Sequence, residues 1–172
     1  MYSNIDYLRR KTGKAGVARP QHLRYLVDEL NQFGNVRERV EQILSNLANF
    51  AYDPLNHCLL LELNVDEIFW KHLNQKLSDS CMLSSLTGLC NLGKSGWNEQ
   101  RINEFLTFIK NGDYKDSEMM LVALGCLSFA IEKFTDAFKS DLLDTLEGIR
   151  QQYHNDQRIL NACHLLEFIM RR

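Results

Sequence analysis

The sequence has little of what breaks helices: two prolines, Pro20 and Pro54, and nine glycines in 172 residues. Sustained β-branched alternation is missing as well, which excludes a sheet-built core and leaves helices separated by short polar breaks. No apolar run reaches the length of a bilayer span, and the longest, Met119 to Ile131, suits the central buried helix of a repeat. The opening residues MYSNIDYLRRKTGKAG lack the apolar stretch of a signal peptide, so a soluble intracellular protein is expected. Neither charge sign dominates. With 20 Lys and Arg against 22 Asp and Glu, the net charge of −2 excludes a strongly basic face working on duplex nucleic acid.

Catalytic and metal-binding patterns are equally scarce. Five histidines, His22, His57, His72, His154 and His164, are scattered without the spacing of a metal site or a nucleophile's partner. The pairs His57-Cys58 and Cys163-His164 diverge on a helix and share no ligand. Gly93-Lys94-Ser95-Gly96 is too short for a phosphate-binding loop and follows no strand; it reads as a loop between repeats. Glu62 and Glu67 read as a solvated face rather than a catalytic pair. The five cysteines, Cys58, Cys81, Cys90, Cys126 and Cys163, are an odd set without C-x-x-C, mostly among Leu, Ile and Met, and read as reduced core thiols. No cofactor, no metal and no enzymatic activity are expected.

What is present is helical periodicity. Leu23, Leu26, Val27 and Leu30 recur at helical spacing, as do Val36, Val40, Ile43, Leu44 and Leu47. Further amphipathic stretches run from Val65 to Leu77, Ile102 to Ile109 and Leu142 to Ile149. Asp53-Pro54 marks a helix stop and restart, Asp79, Asp116 and Asp156 are expected to cap helices, and Asn111-Gly112 reads as a loop.

The segments ILSNLANFAY from Ile43, MLSSLTGLCNL from Met82, MLVALGCLSFA from Met120 and ILNACHLLEFIM from Ile159 are self-similar at roughly 39-residue intervals. Each carries a small residue inside an apolar helix, which permits close helix approach in a stack. Units of two or three helices fit armadillo or HEAT repeats better than ankyrin or leucine-rich ones. The expected fold is therefore all-α: an armadillo-like α-solenoid, a right-handed superhelix of about three to four repeats. It would occupy residues 20–172, behind a basic, flexible arm at 1–19. Two registers relate the first two copies. The preferred one matches Asn49 to Asn91, superposing L-A-N-F-A (Leu47 to Ala51) on L-C-N-L-G (Leu89 to Gly93), with a spacing of roughly 42 residues.

The string EQILSNLANFAYDPLN, Glu41 to Asn56, with GLCNL, Gly88 to Leu92, resembles the armadillo repeat-containing protein seven family, from about Arg19 through Ile109. N-F-A-Y-D-P carries the resemblance, because Leu-x-Asn-Leu is common to armadillo repeats of every kind. The last third departs from it, with Phe129 where earlier copies have Asn. The resemblance implies a small non-enzymatic scaffold that pairs with an RNA-recognition-motif protein in pre-mRNA splicing. It points in particular to the minor spliceosome and the capped 5′ end of its catalytic small nuclear RNA. Nuclear localisation is expected, with a cytoplasmic pool as an addition, and contact with the RNA would be indirect or peripheral.

In an armadillo repeat the third helix lines a concave face, where an Asn can donate to and accept from the backbone of a bound chain. Asn49 and Asn91 match that position, and Asn46, Tyr52 and Trp97 are neighbours able to add hydrogen bonds and aromatic anchoring. Competing local roles exist: Asn49 could bridge a loop or cap a helix, Tyr52 is favoured to pack in the core, and Asp53 reads as a cap. Arg9, Arg10, Lys11, Lys14 and Arg19 form the one basic concentration, able to meet RNA phosphate or an acidic surface, or to serve as a solubilising tail. Arg171 and Arg172 could join them or complement the dipole of the last helix. The alternatives to the scaffold are a direct single-stranded RNA binder and a general peptide-binding armadillo adaptor, the latter needing a longer groove.

Overall fold

Every regular element among the described residues is helical, as the periodicity requires. The computed structural model describes residues 18–95, 97–112, 116–131 and 135–171. The helices are α1 (Arg19–Phe33), α2 (Arg37–Ala51), α3 (His57–Glu62), α4 (Val65–Gln75), α5 (Asp79–Leu92), α6 (Glu99–Asn111), α7 (Ser117–Ala130), α8 (Asp136–Gln152) and α9 (Gln157–Met170), with a 3-10 turn at Pro54–Asn56 between α2 and α3. They divide into two compact units, the first ending at Leu92 and the second beginning at Gly93. None is long and apolar enough to cross a membrane.

In the first unit α1 packs on α2, α2 on α5, and α4 on both α3 and α5. Helix α1 turns Leu23, Leu26 and Leu30 inward, one stripe at helical spacing. Helix α2 buries twice the width, with Val40, Ile43, Leu44, Leu47, Ala48 and Ala51 all inaccessible, because it has neighbours on two flanks. The small residues there and on α5 decide how near the helices come. A Cβ placed on Gly88 would lie 2.3 Å from two Phe69 ring carbons, so the ring of α4 occupies the space that any other residue in α5 would fill.

The Asp53-Pro54 stop is present. Asp53 accepts from the Leu55 N–H, and Pro54 opens the 3-10 turn. The carbonyls that α2 leaves unpaired are met by the residues just beyond. Asn56 Nδ2 donates to Phe50 O at 2.7 Å, and a His57 ring nitrogen lies 2.7 Å from Ala51 O. Asp116 and Asp156 cap α7 and α9 as expected, accepting from the Glu118 and Arg158 N–H groups. Asp79 does not cap α5. Ser78 does, its hydroxyl accepting from Cys81 N–H while also donating to Glu41 of α2 at 2.6 Å. That donation and the nearby Arg37 hold the Glu41 carboxyl below its usual range.

In the second unit α9 packs on α7 and α8, and α6 on α7 and α8. Leu142, Leu146 and Ile149 of α8 face inward with Thr145, and a Lys110–Asp141 ion pair joins α6 to α8. Arg150 of α8 is gripped by Glu167 of α9 and by Glu147. Three cysteines, Cys81, Cys126 and Cys163, are core thiols; Cys90 is half-buried and Cys58 exposed, so the core assignment fails for Cys58.

Burial corrects the repeat register. The buried positions Cys81, Ser85, Leu86, Gly88, Leu89 and Leu92 of α5 recur as buried Met119, Ala123, Leu124, Cys126, Leu127 and Ala130 of α7, each pair 38 apart (81 to 119). Between α2 and α5 the best burial match is 41, pairing Val40, Leu44, Leu47, Ala48 and Ala51 with Cys81, Ser85, Gly88, Leu89 and Leu92. Asn49 therefore corresponds to Cys90, and Asn91 to Phe50. The preferred Asn-to-Asn alignment kept a residue type constant but not a helix face.

Candidate partner-binding face

The expected groove residues separate once their surroundings are read. Asn49 and Tyr52 stand three residues apart on one flank of α2, both exposed, with half-buried Asn46 one turn earlier. Tyr52 is 58 % exposed, which overturns the core reading: it is the C-cap of α2, where the chain turns away before its ring can be covered. Leu55, in the 3-10 turn that follows, is 48 % exposed and extends the surface with an apolar side chain. Sequence reasoning passed it over because a leucine after Asp-Pro reads as the start of the next buried stripe.

Asn91 is half-buried on α5 and donates from Nδ2 to Ala48 O of α2 at 3.0 Å. Its amide thus ties two neighbouring helices together, in the frame beside Asn49. Trp97 is also corrected. It is 4 % exposed, donates its indole N–H to Gly93 O at 3.0 Å, and meets Phe105 edge-on at 5.2 Å between ring centres. It is a core residue of the second unit and offers no surface anchor. Gly93, at φ +63, supplies the left-handed turn that brings that carbonyl round to the indole.

Arg19, expected with the basic arm, has partners within the fold. It opens α1 and donates to Asp53 Oδ2 at 2.9 Å and to Asn56 Oδ1 at 3.3 Å, with its guanidinium carbon 5.8 Å from the Phe50 ring centre. His22 meets the same ring edge-on. The Arg19 charge is engaged by Asp53 within the fold. Arg9, Arg10, Lys11 and Lys14, like Arg172, lie outside the described residues.

Among the described residues no grouping of three or more His, Cys, Asp or Glu side chains could hold a metal ion. Cys163 is buried while His164 points outward, so the adjacent pair does diverge. His72 is buried on α4 and its Nδ1 has no partner among the described residues; burial, with a smaller effect from Lys71, holds its pKa below the ordinary range.

The helix pairings and the burial pattern that recurs from α2 to α5 to α7 define an all-α, armadillo-like α-solenoid fold. Over 74 residues the chain is 36% identical to armadillo repeat-containing protein 7 of Mus musculus, a match covering 43% of this chain and 36% of that protein. No protein-family model matches the chain.

Proposed function

We propose that the protein is a scaffold that holds an RNA-recognition-motif protein within a pre-mRNA splicing complex, in the nucleus. The assembly would be the minor spliceosome, near the capped 5′ end of its catalytic small nuclear RNA, with this chain touching RNA at most peripherally. The reading rests on the N-F-A-Y-D-P string and on the sequence similarity to an armadillo-repeat protein. One structural observation gives it a surface: Asn49, Tyr52 and Leu55 are exposed together around the end of α2, on a frame fixed by Arg19–Asp53 and Asn91–Ala48. An aromatic and an apolar side chain beside an amide supply the anchors and the register that concentrate binding energy in protein interfaces.

Co-expression and co-purification with a candidate RNA-recognition-motif protein tests the proposal. A stoichiometric complex is expected from the wild type. Asn49→Ala with Tyr52→Ala should weaken it by about 2 kcal/mol or more without lowering the melting temperature. Two well-folded proteins that stay apart would refute it. If the isolated chain instead binds single-stranded RNA with a steep salt dependence, lost with Arg9, Arg10 and Lys11, the direct RNA-binding alternative takes its place.

A further inference from the structure

A turn at residues 76–78 folds α5 back along α4, and the two helices pack on one another. Antiparallel helices meet in layers that advance by three or four residues on one while retreating by as many on the other. The contact of Phe69 with Gly88 fixes the register. Towards the start of α4 the next layer sets Val65 opposite Leu92, and both are buried. In the other direction it sets His72 opposite Ser85, again both shut away from water, at 5 % and 0 % exposure.

That layer differs in chemistry from its neighbours. Val65, Leu92, Phe69 and Gly88 bring no polar side-chain atom to the interface, whereas His72 Nδ1 and Ser85 Oγ are buried polar atoms without a hydrogen-bond partner among the described residues. They are the only two such atoms among those residues, and the register places them in one layer. Buried polar atoms are almost always satisfied in folded proteins, by the chain or by water. Here the two do not bond each other. The imidazole reaches less far across the interface than the phenyl ring that fills the layer beside it, and serine extends only one atom beyond its Cβ.

We propose that one buried water occupies the His72–Ser85 layer, donating to His72 Nδ1 and accepting from the Ser85 hydroxyl. The occupant must donate to one atom and accept from the other, because a neutral imidazole with its proton on Nε2 accepts at Nδ1 while a hydroxyl supplies a proton. Water does both within the span of a single layer. A metal ion fits poorly, since among the described residues no group of three His, Cys, Asp or Glu side chains is in place to hold one. The site belongs to the interface of α4 and α5 and does not involve Asn49, Tyr52 or Leu55, so the inference stands apart from the proposed function.

Oxygen-17 magnetic relaxation dispersion on the full chain, which counts long-lived internal waters, tests it. Ser85→Ala should hold one such water fewer than the wild type, and His72→Leu should lose the same one. The double variant should lose no more than either single variant. In nitrogen-15 spectra of the histidine rings, Ser85→Ala should also move the His72 Nδ1 resonance. An unchanged water count in Ser85→Ala would overturn the proposal, and with a moved Nδ1 resonance it would assign the pair a direct hydrogen bond instead. A water count that falls further in the double variant would overturn it too, since the two atoms would then hold separate waters. Ser85→Ala alone decides the outcome if His72→Leu does not fold.

Discussion

Arg19 and Asp53 meet at 2.9 Å although 34 residues separate them, and both are largely shielded from water. The pair fastens the first residue of α1 to the turn that ends α2, while Asp53 also holds the Leu55 N–H. Arg19→Ala should lower stability by about 1–3 kcal/mol, since it leaves a shielded carboxylate without its charged donor. Asp53→Ala, which loses the turn bond too, should cost at least as much. Chemical denaturation of the two single variants and the double variant measures the coupling, and additivity would show that the contact contributes nothing.

Gly88 sets the separation of α4 and α5. Gly88→Val should destabilise by about 1–3 kcal/mol or more, because its Cβ lands on the Phe69 ring, a group enclosed on all sides. Pairing it with Phe69→Leu should recover part of the loss. Thermal melting of the three variants reads the result, and no recovery would place the strain elsewhere.

His72 makes stability depend on pH in a defined direction. Its pKa in the folded chain lies below 6.5, the value an unhindered imidazole keeps, so the unfolded chain takes up the proton first. Its contribution is complete above about 6.5 and is lost progressively as pH falls below that value towards the folded pKa. His72→Leu should flatten the dependence of the urea midpoint between about pH 7 and 5. An unchanged slope would assign the effect to other groups.

Thiol reactivity should separate the cysteines. Burial raises the Cys81 and Cys163 thiols, the latter to about 11, so both remain protonated and inaccessible at about pH 8. Cys58 is exposed beside Glu62 and should be alkylated first in the native protein. Mass-spectrometric mapping that found Cys163 modified early would contradict the packing of α9.

Local features were the ones legible in the sequence. Apolar spacing located the helices, and isolated aspartates followed by apolar runs located the caps at Asp116 and Asp156, because a cap acts over two or three residues. At Ser78-Asp79-Ser80 three residues able to cap stand in a row, and only the position of the backbone selects Ser78. The misreadings share a different cause. Trp97 was expected to offer aromatic anchoring, but Phe105 and the folded-back Gly93 carbonyl hold it in the core. The partners that Arg19 and Asn91 hold 34 and 43 residues away are likewise invisible to local pattern. Polar side chains can satisfy themselves at any sequence distance, which periodicity does not record.

Helix α4 lies between two residues in the left-handed region, Asn64 at φ 53 and Lys76 at φ 49. Because both chain reversals are fixed, inserting one residue ahead of Phe69 would swing the ring about 100° around the helix axis and off Gly88. Length changes in related chains are therefore expected to avoid this stretch and to accumulate in the connections around it.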